Sequence, residues 1–369
     1  MLNVLDHQLE LFDRDARSEA WRDERQWESL YSELDRIMAF GIFVFGDNHP
    51  DLDRSNQKYY EEVLTMAQWA EELGFDSFWV GEHHFYWYGT CVSPPMIIAA
   101  LGQRTKKIRL GPAISVLPFH HPLIVAEEYG LADNLCGGRL NFAIGSGFSP
   151  NEYQTFGMSM EEARERYWES FEVILKAWTE DEFTHQGKHF KLDHGTVFVK
   201  PMQKPLPPIW VAASSDETLI KTGEMGFSIM GIPFARSTSL LEVKEKNDLF
   251  KNSYFRAGHK EKPDIIVALH VYLDRSEENA VASARPCFQR VVDYLIKYRR
   301  PGARTLNLDT VKKEKLGIFG TPEDACSILR EYENAGVTHV ISMVNFGGVS
   351  MPDVRRTLEL MSKEIFPSF

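Results

Sequence analysis

Glu82, His83 and His84 stand where an apolar run, Phe78-Trp79-Val80-Gly81, stops, and Phe85 follows them. A carboxylate beside two imidazoles suggests proton transfer or metal binding. Imidazole titrates near neutral pH, which suits proton removal in a water-poor pocket. His83 and His84 are therefore candidate acids or bases, and a purely structural pair is the alternative. With His120 and His121 the three groups could also ligate zinc or iron. A metal-dependent barrel hydrolase usually carries His-x-His at the end of strand one, where this chain has Phe45-Gly46-Asp47. No metal is expected. Phe45, Trp79, Phe85, Tyr86 and Trp87 are candidates for an apolar pocket wall, or equally for core.

Two further turns have a chemical meaning. Gly145-Ser146-Gly147 is a tight glycine turn after an apolar run, a weak signal by itself. Ser214-Ser215-Asp216-Glu217-Thr218 opens a helical pattern. Hydroxyls and free amides there make an anion site, or else Ser or Asp simply caps the helix. Neither a Walker motif nor a dinucleotide fingerprint is present.

Positioning these groups falls to alternating strands and helices. Apolar runs near 38–45, 78–81, 107–117, 140–145, 208–213, 227–230, 264–273 and 338–343 read as buried strands. Amphipathic patterns over 58–73, from 94, over 121–135, 160–178, from 214 to 223, up to 255, 322–335 and 352–365 read as helices. Such alternation implies parallel strands with helical crossovers. Eight strands with eight helices favour a (β/α)8 TIM barrel over residues 37–369, with titratable groups at strand ends where barrels keep their chemistry. Residues 183–190 read as an inserted hairpin turning at Gln186-Gly187. Residues 292–318, with Pro301-Gly302, read as irregular, a lid or second insertion. Residues 1–36 form a separate N-terminal arm, helical in part from the spacing of Trp21, Trp27, Leu30, Tyr31 and Leu34. That arm packs on the surface or crosses to a partner subunit.

Composition narrows the class. The chain has 369 residues, a formal net charge of -12 and 43% apolar residues, with 24 Phe and 8 Trp to fill a large core. The acidic balance argues against nucleic acid or an anionic membrane as the main partner. The four cysteines form no CxxC pair, so neither a zinc site nor a disulfide framework is suggested. No signal peptide and no apolar run of about 18 residues is visible, and a cytoplasmic protein with reduced thiols is expected.

Taken in order, several stretches resemble the bacterial luciferase-like, flavin-dependent monooxygenases. They are Gly81-Glu82-His83-His84-Phe85, then Val116-Leu117-Pro118 with His121-Pro122, and Ala126-Glu127. Gly138-Arg139, Gly145-x-Gly147, Glu152-Tyr153 and Phe156-Gly157 follow. Val211-Ala212-Ala213-Ser214-Ser215, Ala335-Gly336-Val337 and Leu358-Glu359-Leu360 complete the set, which covers about residues 38–368. The resemblance implies a barrel that takes FMN as FMNH2 from a separate flavin reductase. With O2 it would oxygenate a small, largely apolar substrate through a flavin C4a-peroxide. It places His83 beside the flavin as acid or base, and the adjacent Glu82 is read as its support. It implies a non-proline cis peptide at Ala113-Ile114, and flavin contacts from Ala113, Ile114, Gly145, Ser146 and Gly147. The phosphate would lie on Ala213, Ser214 and Ser215. A homodimer, joined through helices near the first three strands, is implied as well. Where luciferase has a reactive cysteine and an arginine on strand four, this chain has Gly145 and Ser146. One phosphate cation is thus missing, so weak affinity for oxidised FMN and a colourless protein are expected. The same fold also serves oxidoreductases that use coenzyme F420, and a non-catalytic flavin-binding protein is the remaining alternative.

Overall fold

The computed structural model describes residues 38–369 apart from 88 and 299–305. The proposed arm, residues 1–36, lies outside the described residues, as do Pro301 and Gly302.

The chain runs β1 (Ala39–Val44), α1 (Asn56–Glu72), β2 (Ser77–Val80), α2 (Pro94–Arg104), β3 (Arg109–Pro112) and β4 (Ser115–Val116). It continues through α3 (Pro122–Leu135), β5 (Phe142–Gly145), α4 (Pro150–Thr155), α5 (Met160–Thr179), β6 (Phe183–Gln186) and β7 (Lys191–Gly195). Next come β8 (Ile209–Ala212), α6 (Asp216–Glu224), β9 (Ser228–Gly231), α7 (Pro233–Arg236), α8 (Leu240–Arg256) and β10 (Ile265–Leu273). The last stretch holds α9 (Glu277–Tyr298), α10 (Leu308–Lys313), β11 (Gly317–Gly320), α11 (Pro322–Asn334), β12 (His339–Met343) and α12 (Met351–Leu360).

The strands are short and apolar because helices cover one face and barrel interior the other, which favours continuous apolar runs over alternation. All the strand pairs among β1–β5 and β8–β12 are parallel, in the order β3-β2-β1-β12-β10-β9-β8-β5-β4. Leu110 on β3 bridges Leu140 in parallel and closes the ring. Leu110 N–H donates to Arg139 O (2.9 Å) and Asn141 N–H to Leu110 O (2.8 Å). The (β/α)8 barrel is therefore the architecture, with its strand three in two pieces. The break falls at the Ala113–Ile114 peptide, which is cis as the resemblance implied. Before it β3 pairs with β2, and after it β4 pairs with β5.

Helix ends follow the sequence signals. Ser55 caps α1 by accepting from Lys58 N–H (3.1 Å), and Gly74 ends it in a left-handed conformation (φ 79°) that disfavours a side chain. The inserted hairpin is present as antiparallel β6–β7, closed by Gly187 N–H to Phe190 O (2.9 Å). Glu169 on α5 tethers it by accepting from the N–H groups of His189 (3.0 Å) and Phe190 (2.7 Å).

One stretch differs from the sequence reading. Residues 292–298 complete α9, and 308–313 and 317–320 are helix and strand, where an irregular segment was expected. The Pro301-Gly302 breaker dominated that expectation. The buried residues Ala280, Ala284, Phe288, Val291, Val292 and Leu295 recur every three to four positions and fix α9 against the barrel. β11 pairs with the far half of β10, His270–Leu273, so it extends the sheet beyond the eight barrel strands.

The core has two parts. One lies between sheet and helices; the other fills the barrel with Phe43, Trp79, Ala143, Trp210, Met230, Ile266, Ala268 and Ile341. Trp79 is fully buried, edge-on to Trp210 at 5.4 Å, and donates to Ser77 Oγ (2.7 Å). Burying a large apolar side chain contributes about 1.5–3 kcal/mol, and its indole N–H is satisfied as well. Trp79 is thus core, not pocket wall.

Candidate functional site

The C-terminal ends of the barrel strands surround a cavity of about 1550 Å³, open solvent at its mouth included. Every barrel strand contributes. Phe45 follows β1, Glu82 and His83 follow β2, and Ala113 and Ile114 join β3 to β4. Ser146 and Gly147 follow β5, Ala213 and Ser214 follow β8, and Ile232 follows β9. His270 lies on β10 and Met343 ends β12.

His83 is one of the titratable groups at the wall. Its Nδ1 lies 3.0 Å from Glu152 Oε1, and its ring stacks on Phe45 with centroids 5.1 Å apart and planes 13° apart. The edge of Phe148 meets the ring at 5.5 Å. Glu152 is buried and also accepts from the backbone N–H of His84 (2.9 Å). So the carboxylate that supports His83 is Glu152, contributed by α4, and not Glu82. Glu82 was the expected support, but its carboxylate is engaged by His84, His120 and the Val116 amide.

Glu82 serves a second cluster. Its Oε1 meets His120 Nε2 at 2.6 Å and His84 Nε2 at 3.1 Å, while Oε2 accepts from Val116 N–H (2.9 Å). Burial alone would raise its pKa. The hydrogen bonds from His120 and His84, the His120 charge and the Val116 amide outweigh that and hold it down to about 2. Burial would lower the pKa of His120, but the Glu82 hydrogen bond and charge raise it. Candidate ligand atoms of Glu82, His84 and His120 lie within 4.8 Å of one another, so three of the five residues weighed as metal ligands converge. His121 is spent elsewhere, capping α3 by accepting from Leu123 N–H (3.3 Å). Two imidazoles and an amide already satisfy the Glu82 carboxylate.

The remaining site residues divide. Ala113, Ile114, Ser146, Gly147, Ala213 and Ser214 line the cavity. Gly145 lies behind it, where a Cβ would overlap Ile114 Cδ1 and come within 3.2 Å of Ala212 Cβ. Ser215 caps α6, its Oγ accepting from Thr218 N–H (3.3 Å). The capping reading therefore holds for Ser215, while Ser214 faces the cavity. Of the aromatic wall only Phe45 is placed as expected. Phe85 is 53% exposed and packs on Phe156 at 4.9 Å. Tyr86 bonds Ser149 Oγ (2.5 Å), and Lys297 lies over the Trp87 ring at 5.0 Å. Burial and then the Glu152 charge push the Tyr86 phenol up to about 12.

The sequence reading quoted Glu152 only within the Glu152-Tyr153 match, with no role, and singled out neither Arg236 nor His270. Glu152 left a trace as an acidic residue two positions after a helix-starting proline. Arg236 is the only cation in Ile232-Pro233-Phe234-Ala235-Arg236, a short turn with no periodicity. His270 hides in the apolar strand Ile265–Leu273.

A flat, largely apolar ring with an anionic tail fits these surroundings. Phe43, Phe45, Ala113, Ile114, Ala212 and Met230 offer apolar walls, and Ser214 with Arg236 offers a polar, cationic rim. Among the described residues no helix is long and apolar enough to cross a membrane.

Comparison with known proteins agrees with this geometry. The chain is similar, at 27% identity over 90% of its length and 96% of the relative, to the oxygenase component of a flavin-dependent trigonelline monooxygenase from Acinetobacter baylyi. It is similar at 24% identity, over 83% of its length and 93% of the relative, to an F420-dependent glucose-6-phosphate dehydrogenase from Amycolatopsis mediterranei. Among solved structures, monooxygenase RslO1 from Streptomyces bottropensis superposes with a TM-score of 0.82 at 26% identity, covering 89% of this chain and 99% of that one. The pattern of luciferase-like monooxygenases matches residues 38–339. With that match over most of its length, and with the barrel and its strand-end cavity in place, the chain belongs to the luciferase-like monooxygenase family.

Proposed function

We propose that the protein is the oxygenase half of a two-component system. It takes FMNH2 from a separate flavin reductase and uses O2 to oxygenate a small, largely apolar organic substrate. The observation that carries this reading is His83, held by Glu152 against Phe45 at the wall of an apolar cavity. The cavity has apolar walls with a few convergent polar groups, as a site for a cofactor and an apolar substrate requires. The relative described as an oxygenase component supports a partner reductase.

Bound flavin would supply the oxygen-activating chemistry; the chain supplies binding, orientation and proton control. A carboxylate on Nδ1 fixes a proton there, so Nε2 is the nitrogen of His83 that takes and returns a proton. Ala113, Ile114, Ser146, Gly147 and Ala213 bound the ring, and apolar walls exclude water. Ser214 would hold the phosphate with Arg236, a cation supplied from α7 rather than from position 146. Asp216 and Glu217, in the first turn of α6, would oppose that phosphate in either redox state of the flavin. Glu82, His84 and His120 act as positioning residues that hold the loop bearing His83. Gly145 acts indirectly, by giving Ile114 its place. Met96, Ile124, Leu131 and Leu135 are exposed on α2 and α3, a surface a homodimer would cover.

The similarity to an F420-dependent dehydrogenase supports a second reading, hydride transfer with coenzyme F420 and no oxygen. Anaerobic titration separates the two. FMNH2 should bind more tightly than oxidised FMN, and Arg236→Gln should weaken FMNH2 about tenfold while leaving reduced riboflavin, which lacks the phosphate, unchanged. Admitting oxygen with substrate should then give oxygen uptake that His83→Ala lowers by about 10²–10⁴. Tight binding of coenzyme F420 without oxygen uptake would overturn the proposal.

A further inference from the structure

We propose that the substrate is a compact apolar molecule with one neutral oxygen, a carbonyl or hydroxyl, and that this oxygen binds the imidazole of His270. The inference rests on reading the strand-end cavity as the substrate chamber. Ile266, Ala268 and His270 alternate along β10 and all line the cavity. His270 is 2% exposed, and its Nδ1 has no hydrogen-bond partner among the described residues. Several other buried side chains carry an atom with that lack, but among the described residues His270 is the only such residue in the cavity lining.

The surroundings select the kind of partner. Phe234, Phe288 and Phe346 each set a ring edge-on to the imidazole at 5.1 Å, with interplanar angles of 85°, 88° and 88°. An apolar side chain would pack there without burying an unpaired nitrogen, so the imidazole weakens the fold unless something binds it. Burial lowers its pKa to about 3, which keeps it neutral. A neutral imidazole carries one donor and one acceptor. It meets a carbonyl with the first and a hydroxyl with the second, and it offers no charge to a carboxylate or sulfonate.

The test uses the flavin-free full chain, labelled with ¹⁵N-histidine, and two probes of one shape: cyclohexanone and methylenecyclohexane. Cyclohexanone should shift the imidazole resonances that disappear in His270→Gln; methylenecyclohexane should leave hydrogen-bond-sensitive shifts unchanged. His270→Phe should weaken cyclohexanone relative to methylenecyclohexane by about tenfold, the worth of one hydrogen bond. His270→Gln, which keeps a donor and an acceptor, should retain part of the preference. The melting temperature of His270→Phe should hold or rise. An unchanged probe ratio in a folded His270→Phe, or an imidazole that ignores cyclohexanone, would overturn the proposal. So would FMN alone shifting those resonances, since His270 would then belong to the flavin. Because the probe titrations contain no flavin, failed FMNH2 binding leaves their outcome standing.

Discussion

Charge at Glu82 depends on two imidazoles and one amide, and its pH dependence follows from that. The lowered Glu82 pKa contributes stability that is complete above its ordinary value near 4.5 and is lost as pH falls toward about 2. His120 is shifted the other way. Its contribution is complete below its ordinary value near 6.5 and is lost as pH rises through the raised one. The pair is therefore strongest between about pH 4.5 and 6.5. Glu82→Gln should cost about 3 kcal/mol in that window, with a smaller deficit on either side. Urea unfolding of both proteins from pH 3 to 9 measures the difference, and a pH-independent deficit would refute the pairing. Glu152 has the other task, orienting His83, so its loss belongs in kcat more than in stability.

Among elements, the β3–β4 break and β5 are coupled through one contact. Gly145 leaves room for Ile114, whose side chain lines the cavity. A Cβ there meets the flexible end of Ile114, so the strand tolerates it by pushing Ile114 inward. Gly145→Ala should therefore weaken flavin binding by roughly tenfold at a stability cost of no more than about 1–3 kcal/mol. Adding Ile114→Val, which removes the colliding methyl, should restore the affinity. Isothermal titration and thermal melts on the single and double variants decide it; a large drop in melting temperature with unchanged affinity would contradict the argument.

Across the whole molecule, chemistry and closure occupy opposite ends of the barrel. The cavity lies at the C-terminal strand ends, whereas Arg139 closes the ring at the start of β5. Its guanidinium donates to Cys136 O (2.7 Å), Thr105 Oγ1 (3.0 Å), Ile108 O (2.7 Å), Gly102 O (3.1 Å) and Thr105 O (3.1 Å). Those carbonyls and that hydroxyl lose their donor together in Arg139→Ala. Unfolding should cost about 3–5 kcal/mol less than in the parent, with kcat/KM of the folded enzyme within about twofold. Chemical denaturation alongside initial rates tests this separation; parallel loss of both would mean that the two ends are not independent.

The sequence by itself determined the barrel, because parallel strands buried on both faces leave continuous apolar runs and their crossover helices leave a 3.6-residue period. It also singled out His83 and Ser214, which sit at strand ends that local patterns mark, whereas Ala113–Ile114 came from the resemblance alone. Among the described residues it misread 292–298 and 308–313, where one breaker signal outweighed the apolar spacing of α9. Tertiary structure alone decided who partners whom. Glu152 reaches His83 across 69 positions, and His120 reaches Glu82 across 38. Arg236 and His270 meet the same cavity from separate strand ends. No local period encodes such meetings, since they depend on how the ring closes and which side chains turn inward once it has closed.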